Sequence, residues 1–520
     1  MLVSLALPLP ALLPPIQARA LAQEAPEFPA SGTHDGLPAR DTLFLIGDAR
    51  IDPGLAARGR SEPDLVTAAW RRALGFVEWT DGAVLVADGA SNYVELARKD
   101  PRLADSVRTA VRAGAWSPVG GWWTRGDPGS LSGESLIRQG LYGQRAFERV
   151  LGRRPTVAWL DAGSRLPSTL PQILGGSGLT SLIRVGSEAE RGESIPGTQA
   201  TPSALYWEGN DGTRIQVYRP YDYGDFADFE FEFPGPRAVG EGGRGHRLAI
   251  YGVRDPEWES AATGSIAAPA GESFEPVERD RRPTGAQSAV PVVRFASPER
   301  ALAAIREAGG GEPPTASGEI VPPGAFSMPS EAGSATTHAD GETAARIRTE
   351  SVLQTAEAVS AVAAGLPGAV AYPGSTLEWI WRELLEAAAL SRDPSGRGAT
   401  DMARHEVLAS ASNTADSLIT EMFNVIRAEM ETDAEPIGAY VLFNPLAHVR
   451  RGVAFVEIGR GGREEGARSE ARDLLLVNVP EIPALGAIAL PIGADGLPGV
   501  LPADIQPPAA GDLWLENAFL

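Results

Sequence analysis

From residue 42 the chain alternates between short apolar runs and stretches of helical spacing. The runs 42–46 (TLFLI), 83–86, 117–123, 156–160 (TVAWL) and 181–185 are apolar without polar alternation, the pattern of strands buried on both faces of a parallel sheet. Between them, 64–79 repeats Leu65, Ala68, Ala69, Leu74 and Val77 at helical spacing. The stretch 96–113 does the same with Leu103, Val107 and Val111, and 132–151 opens on a capping pattern at Ser132. A short helix is expected at 170–175. The alternation implies a parallel sheet covered by helices. At 204–218 the pattern becomes a hairpin, with Asn210-Asp211-Gly212 between two strand-like runs. Further strands are expected at 248–251 and 292–295 and a helix at 297–308, while 224–246 and 256–288 read as long loops. From 343 the chain changes to three long helices, 343–364, 377–391 and 401–428, joined by Pro- and Gly-containing loops, which points to an antiparallel bundle. After Pro436 the period becomes two, the mark of an all-β region. No fixed-period repeat is present.

Composition narrows the function classes. The 520 residues carry 46 basic and 67 acidic side chains, a net charge of −21, which disfavours a nucleic-acid partner and a polybasic lipid anchor. Lys99 is the single lysine, and the dominance of arginine with 59 Gly and 43 Pro reads as the codon bias of a GC-rich genome. With no cysteine, thiolate nucleophiles, disulfides and zinc–thiolate centres are out of reach. Residues 2–16 are apolar, interrupted by Pro8, Pro10, Pro14 and Pro15, and too short to cross a bilayer. Ala20-Leu21-Ala22 before Gln23 fits the small-x-small cleavage pattern of an export signal, although no basic residue precedes the apolar part. The expectation is an exported, periplasmic or extracellular protein with a signal at 1–22 and a polar leader at 23–38; a cytoplasmic protein with a disordered tail is the alternative. No transmembrane anchor is expected. The final run LWLENAFL (513–520) reads as the start of a strand, so a partner chain supplying further β domains is a second expectation.

Several motifs, taken in order, resemble one family. GGWWTRGDPGSLSGESLIRQGLYGQRAF (120–147), WLDAGSRLPSTLPQIL (159–174), LYWEGNDGTRI (205–215), THADGETAARIR (337–348) and VLFNP (441–445) resemble segments of the family 38 glycoside hydrolases, the α-mannosidases. The resemblance runs from about residue 41 to 520. It implies a (β/α)7 barrel at 39–310, a three-helix bundle at 335–432 and the beginning of a β-sandwich at 436–520. The family continues with several hundred more residues of β structure. The family holds a zinc ion with a His-x-Asp after the first strand, the Asp nucleophile and a His of the helical domain, and retains configuration through two carboxyl groups.

Carried over residue by residue, most of that machinery is replaced. In GDARIDPGL (47–55) the ligand His position is Arg50, the ligand Asp is Asp52, and Leu55 stands for an aromatic. In the segment anchored by LPQIL the nucleophile position is Ala162, with Asp161 one residue early and Ser164 in place of a Phe. In LLEAAALSRDPSG (384–396) the ligand His position is Arg392, followed by Asp393. Arginine stays protonated and offers no lone pair to a metal, and alanine neither ligates nor attacks. The expectation is therefore no cofactor in place of the family's zinc, with Arg50, Arg392, Asp52, Asp393 and Asp48 forming a salt-bridge cluster where the metal sat; the alternative is that both arginines turn into solvent. His34, His246, His338, His405 and His448 form no metal-spaced pair.

Two functions follow. The first is a binding or structural protein on a hydrolase fold, with Trp122, Trp123, Trp207 and Trp258 stacking on carbohydrate or, equally in keeping with their type, filling the core. The second is a retaining glycosidase with a rearranged site, in which Asp161 replaces its neighbour as nucleophile and Asp48, Asp52 and Asp161 bind calcium through oxygen. A one-residue slip on a strand turns a side chain to the opposite face, which counts against Asp161. If the arginine cluster forms, replacing Arg50 and Arg392 together by Ala lowers the thermal midpoint; an unchanged midpoint means that both lie in solvent.

Overall fold

The computed structural model describes residues 42–49, 62–80, 82–185, 204–220, 222–225, 247–252, 292–308, 312–321, 335–366, 370–389, 399–430, 439–458, 473–491, 509–511 and 514–516. The export signal, the polar leader, Arg50, Asp52, Leu55, Trp258, Arg392, Asp393 and the loops at 226–246 and 256–288 lie outside the described residues, as do His34, His246 and the side chain of His338.

Strands β1 (Thr42–Asp48), β2 (Leu85–Ala87) and β3 (Trp116–Pro118) pair in parallel, and β1 also pairs in parallel with β9 (Arg247–Gly252) and β10 (Val292–Phe295). Strand β8 (Asp222–Asp225) adds beside β9 and occupies the first part of what the sequence pattern reads as loop. A second sheet holds β4 (Val157–Asp161), β5 (Ser181–Val185) and the hairpin β6 (Ala204–Glu208) and β7 (Arg214–Tyr218). Its outer strand β11 (Thr315–Ser317) has no hydrophobic pattern to announce it and pairs in parallel with β6. The two sheets meet where Gly120 N–H donates to Val157 O at 2.9 Å. The strands Leu85–Ala87 and Ser181–Val185 are nearly fully buried, which accounts for their unbroken apolar runs.

Two elements depart from the sequence pattern for identifiable reasons. The single helix expected at 96–113 is two, α2 (Ala90–Lys99) and α3 (Pro101–Ala113). Pro101 cannot donate a backbone N–H, so it takes the first turn of a new helix, capped by Asp100, which accepts from Leu103 N–H at 3.0 Å. The strand expected to run to 123 stops at Pro118, because Gly120 and Gly121 adopt φ of +83° and +72° and turn the chain out of the sheet.

Helix α4 (Gly133–Leu151) follows that turn, with Ser132 accepting from Ser135 N–H as its cap. Its glycines allow close approach. A Cβ on Gly143 would overlap Gly121 O and the Trp122 backbone, so only glycine lets the helix lie against this segment.

Three long helices, α7 (Ala335–Ala364), α8 (Gly374–Ala389) and α9 (Ala399–Glu429), pack on one another, after α1 (Glu62–Trp79), α5 (Leu170–Gly176) and α6 (Pro298–Ala308) earlier in the chain. Their buried Leu353, Leu377, Trp381 and Leu408 belong to the same apolar core as Trp70, Trp116 and Phe147 of the α/β part. The joint is also polar. Ser132 and Ser135 hydroxyls both donate to buried Glu350. Arg138 donates to Glu357 at 2.8 Å and lies over the Trp381 ring at 4.7 Å. Trp123 N–H donates to Glu386 at 3.0 Å. The Ser-Gly-Glu-Ser-x-x-Arg-Gln segment thus fastens the long helices to the α/β part. Beyond them, strand pairs Ala439–Phe443 with Ala487–Pro491 and Arg450–Ile458 with Asp473–Ile482 are antiparallel. Among the described residues no helix is long and apolar enough to cross a membrane.

Glu350→Ala leaves the buried Ser135 hydroxyl and the half-buried Ser132 hydroxyl without their acceptor at this joint. It is expected to cost about 2–4 kcal/mol, read as a lower urea midpoint; a variant as stable as the parent would mean that the joint rests on the apolar core alone.

Candidate active-site cleft

The C-terminal ends of parallel strands are where loops gather polar side chains over a rigid sheet. Here β1 ends on Asp48, β2 is followed by Asp88, and β4 ends on Asp161. The loop after β3 brings Arg125 over the same edge. Asp88, Gly89, Gly120, Trp122, Thr124, Arg125, Gly126, Trp159, Leu160 and Asp161 line a small cleft that opens to solvent.

The polar centre of the cleft is an ion clamp. Arg125 Nε lies 3.2 Å from Asp88 Oδ2, and Arg125 Nη2 lies 3.0 Å from Asp161 Oδ1. Asp88 is almost sealed, its side chain 6% exposed, whereas Asp161 is 54% exposed at the mouth. One guanidinium therefore spans two carboxylates from different strands. Removing either partner of such a partly buried pair leaves a charge that is expensive to keep dry. The geometry also depends on Gly120, where a Cβ would stand 3.0 Å from Asp88 Cβ.

A second, buried arginine shapes the other wall. Arg184 of β5 donates to Asp161 O at 2.5 Å, Ala162 O at 2.6 Å and Ser164 O at 3.0 Å. It gathers three carbonyls of the turn after β4 and so fixes where Asp161 leaves the sheet. Ala162 N–H donates to Val185 O at 2.7 Å, and its methyl group is buried.

Two donors in the cleft wall stand out. Trp122 and Trp159 are 4% and 3% exposed, and among the described residues neither indole N–H has a hydrogen-bond partner. A buried unpaired donor costs on the order of 1–3 kcal/mol, which an oxygen acceptor on a bound ligand would relieve.

The structure brings only part of the sequence-derived set together. Asp161 and Trp122 line the cleft. Asp48 is buried at the end of β1 and is not among the lining residues. Trp207 is sealed in an apolar core with its N–H on Gly318 O at 2.8 Å, and Trp123 faces the long helices. Arg50, Asp52, Arg392 and Asp393 lie outside the described residues, and His405 and His448 are exposed on other elements. Asp88, Arg125, Trp159 and Arg184 were not singled out from the sequence. The signal for Asp88 was present: an acidic residue closing an apolar parallel strand, followed by Gly89.

Among the described residues no group of three or more His, Asp or Glu side chains is arranged to hold a metal ion. Where the Asp88 and Asp161 carboxylates converge, both meet the Arg125 guanidinium. Of the positions that the family resemblance assigns to zinc, Ala162 offers no ligand atom, and Arg50, Asp52 and Arg392 lie outside the described residues.

Residues 43–250 match the sequence model of the glycosyl hydrolases family 38 N-terminal domain. Over this stretch the chain is similar to family 38, the α-mannosidases. It is 24% identical over 357 residues to mouse alpha-mannosidase 2C1, an alignment covering 68% of this chain and 32% of the relative. A shorter stretch of 120 residues is 32% identical to Dictyostelium discoideum alpha-mannosidase G, covering 23% of this chain and 11% of that one. The α-mannosidase-like chain thus spans about a third of the mouse relative. In fold it is similar to an alpha-mannosidase from Enterococcus faecalis V583, with a TM-score of 0.55, 16% identity and coverage of 80% of this chain and 46% of that one.

Arg184→Met deprives three carbonyls of their buried donor and is expected to cost about 3 kcal/mol or more in urea unfolding, with Arg184→Lys recovering only part because one ammonium cannot replace the planar fork. Equal stability of all three proteins would remove Arg184 from the account of the cleft.

Proposed function

We propose that this family 38-like chain binds carbohydrate in the cleft at the C-terminal strand ends without hydrolysing it. The observation that carries the reading is the end of β4. By the family resemblance the nucleophile position is Ala162, which is buried and has no attacking group. Its neighbour Asp161 already gives its carboxylate to Arg125. A retaining mechanism needs one carboxylate free to attack the anomeric carbon and a second carboxyl group to protonate the leaving oxygen. A carboxylate neutralised by a guanidinium is a poor nucleophile.

The same geometry suits a polyol. Carboxylate oxygens accept from sugar hydroxyls, and Arg125 with the indole N–H groups of Trp122 and Trp159 donates to ring and hydroxyl oxygens. Around this cleft we read the two sheets as arcs of one (β/α)7 barrel. The long helices are read as a three-helix bundle, and the antiparallel pairs after 439 as the beginning of a β-sandwich. Export from the cytoplasm, which would place the protein among envelope or extracellular glycans, belongs to the same proposal.

A second reading has one observation in its favour. Asp161 sits at the cleft mouth, half-exposed, where an incoming sugar would meet it. In that reading Asp161 is the nucleophile once Arg125 withdraws.

An aryl α-mannoside assay beside tryptophan-fluorescence titration with mannose oligosaccharides separates the two. The binding reading expects no turnover above buffer, saturable quenching, and an affinity weakened about threefold to tenfold in Trp122→Phe, which keeps the ring and loses the N–H. Turnover that disappears in Asp161→Asn would establish the second reading instead.

A further inference from the structure

We propose that Trp123 is a positioning residue of the cleft: α8 seats it and its neighbour Thr124 from behind, and that seat sets where Arg125 and the start of α2 stand at the cleft edge. This deepens the binding reading above and rests on it.

Residues 122–125 face two ways. Trp122, Thr124 and Arg125 line the cleft. Trp123 is buried and packs in the core that includes Leu377, Trp381 and Leu385 of α8. Three residues of α8 take hold of Trp123 and Thr124. Glu386 accepts from the Trp123 indole N–H at 3.0 Å, the Arg382 guanidinium lies over the Trp123 ring at 4.6 Å, and Leu385 O accepts from the Thr124 hydroxyl at 3.3 Å. Positions 382, 385 and 386 share one stripe of the helix, so a single face of α8 makes all of these contacts. Gln139 of α4 grips the same two residues from another side. Its backbone O accepts from Trp123 N–H at 2.9 Å. Its fully buried side-chain amide accepts from Thr124 N–H and donates to the Thr124 hydroxyl, each at 2.9 Å.

The seated segment in turn holds the acidic edge of the cleft. Helix α2 begins just after Asp88 and Gly89, and Gly89 has no side chain with which to cap it. The first two N–H groups of α2 donate instead to the seated segment, Ala90 N–H to Trp122 O at 3.0 Å and Ser91 N–H to Trp123 O at 2.8 Å. One residue past Thr124, Arg125 reaches Asp88 and Asp161. Position thus passes from α8, through Trp123 and Thr124, to the loop after β2 and the turn after β4. A ligand in the cleft meets groups whose spacing depends on a helix none of whose described residues lines the cleft.

The test is hydrogen–deuterium exchange of the full chain without ligand, read by mass spectrometry on peptides spanning residues 88–93. The Ala90 and Ser91 amides in them are bonded to the Trp122 and Trp123 carbonyls and report the seat directly. Glu386 is exposed, so Glu386→Ala removes the acceptor of the indole and spares the apolar core. It is expected to speed exchange at 88–93 about threefold to tenfold, the effect of one lost hydrogen bond. Trp123→Phe loses the same N–H and should match it. Glu386→Gln keeps an oxygen acceptor and should stay within about twofold of the parent. Trp381→Phe is the comparison, because it loses an indole N–H bond of the same kind, to Glu357 of α7 at 2.9 Å. It should lower the urea midpoint yet leave exchange at 88–93 within about twofold of the parent. In the fluorescence titration with mannose oligosaccharides, Glu386→Ala should bind about threefold more weakly or worse.

Unchanged exchange at 88–93 in Glu386→Ala, or in a folded Trp123→Phe, overturns the proposal. So does Trp381→Phe speeding that exchange as much, since α8 then acts only through overall stability. Glu386→Gln behaving like Glu386→Ala overturns it as well, and so does equal oligosaccharide affinity in the parent and Glu386→Ala. If Trp123→Phe does not fold, the two Glu386 variants decide. Failure of the glycan reading looks different: the exchange pattern is as expected, while mannose oligosaccharides leave the fluorescence of the parent unchanged.

Discussion

Everything in this molecule that resembles a site depends on the close threading of residues 120–126. The segment leaves β3 through two glycines in left-handed backbone conformation and passes under Gly143 of the following helix. In seven residues it then supplies an indole to the cleft wall, an indole and a hydroxyl to the long helices, and a guanidinium to two aspartates. A side chain at Gly121 would run into Leu179 and Gln144, and one at Gly143 into the segment itself. The position of Arg125 is therefore a consequence of backbone packing, which side chains elsewhere in the cleft cannot adjust.

That constraint gives the cleft its electrostatics. Asp88 is held dry by the fold, and a dry carboxylate is tolerated only beside a positive charge. In metal-dependent sites an ion supplies it. Here Arg125 stands beside Asp88 and also engages Asp161, the acidic side chain next to the nucleophile position of the family resemblance. The carbonyls held by Arg184 act in the same direction, since they fix the turn that presents Asp161 to Arg125. In the proposed reading, the donors and acceptors of this cleft meet an oxygen-rich ligand, and Ala162, at the nucleophile position by the family resemblance, carries only a methyl group.

The strands and helices of the α/β part were legible because burial on two faces writes itself as unbroken apolar runs and burial on one as a helical stripe. Strand β11 was not, because three residues with a single buried alanine carry no period. The break at Asp100-Pro101 and the early end of β3 were written in proline and glycine, but a continuous apolar stripe on either side outweighs such punctuation when only periodicity is read. At the site, Asp161 and Trp122 were legible from family motifs. Arg125 was not, although it lies inside one of them, because nothing in the linear pattern shows that the loop after β3 folds back over β2. Trp207 shows the converse: a tryptophan in a conserved-looking hairpin reads equally as ligand platform or core, and only its burial and its bond to Gly318 O decide. The cluster foreseen around Arg50, Asp52, Arg392 and Asp393 rests on residues beyond those described.

The central claim is that Arg125 holds Asp88 and Asp161 together in the cleft. It is tested most directly by a crystal of the protein soaked in zinc, with anomalous diffraction collected at the zinc absorption edge. The account predicts no anomalous peak between Asp88 and Asp161 and Arg125 still bonded to both. A zinc peak within coordination distance of those two carboxylates, with Arg125 displaced, would contradict it.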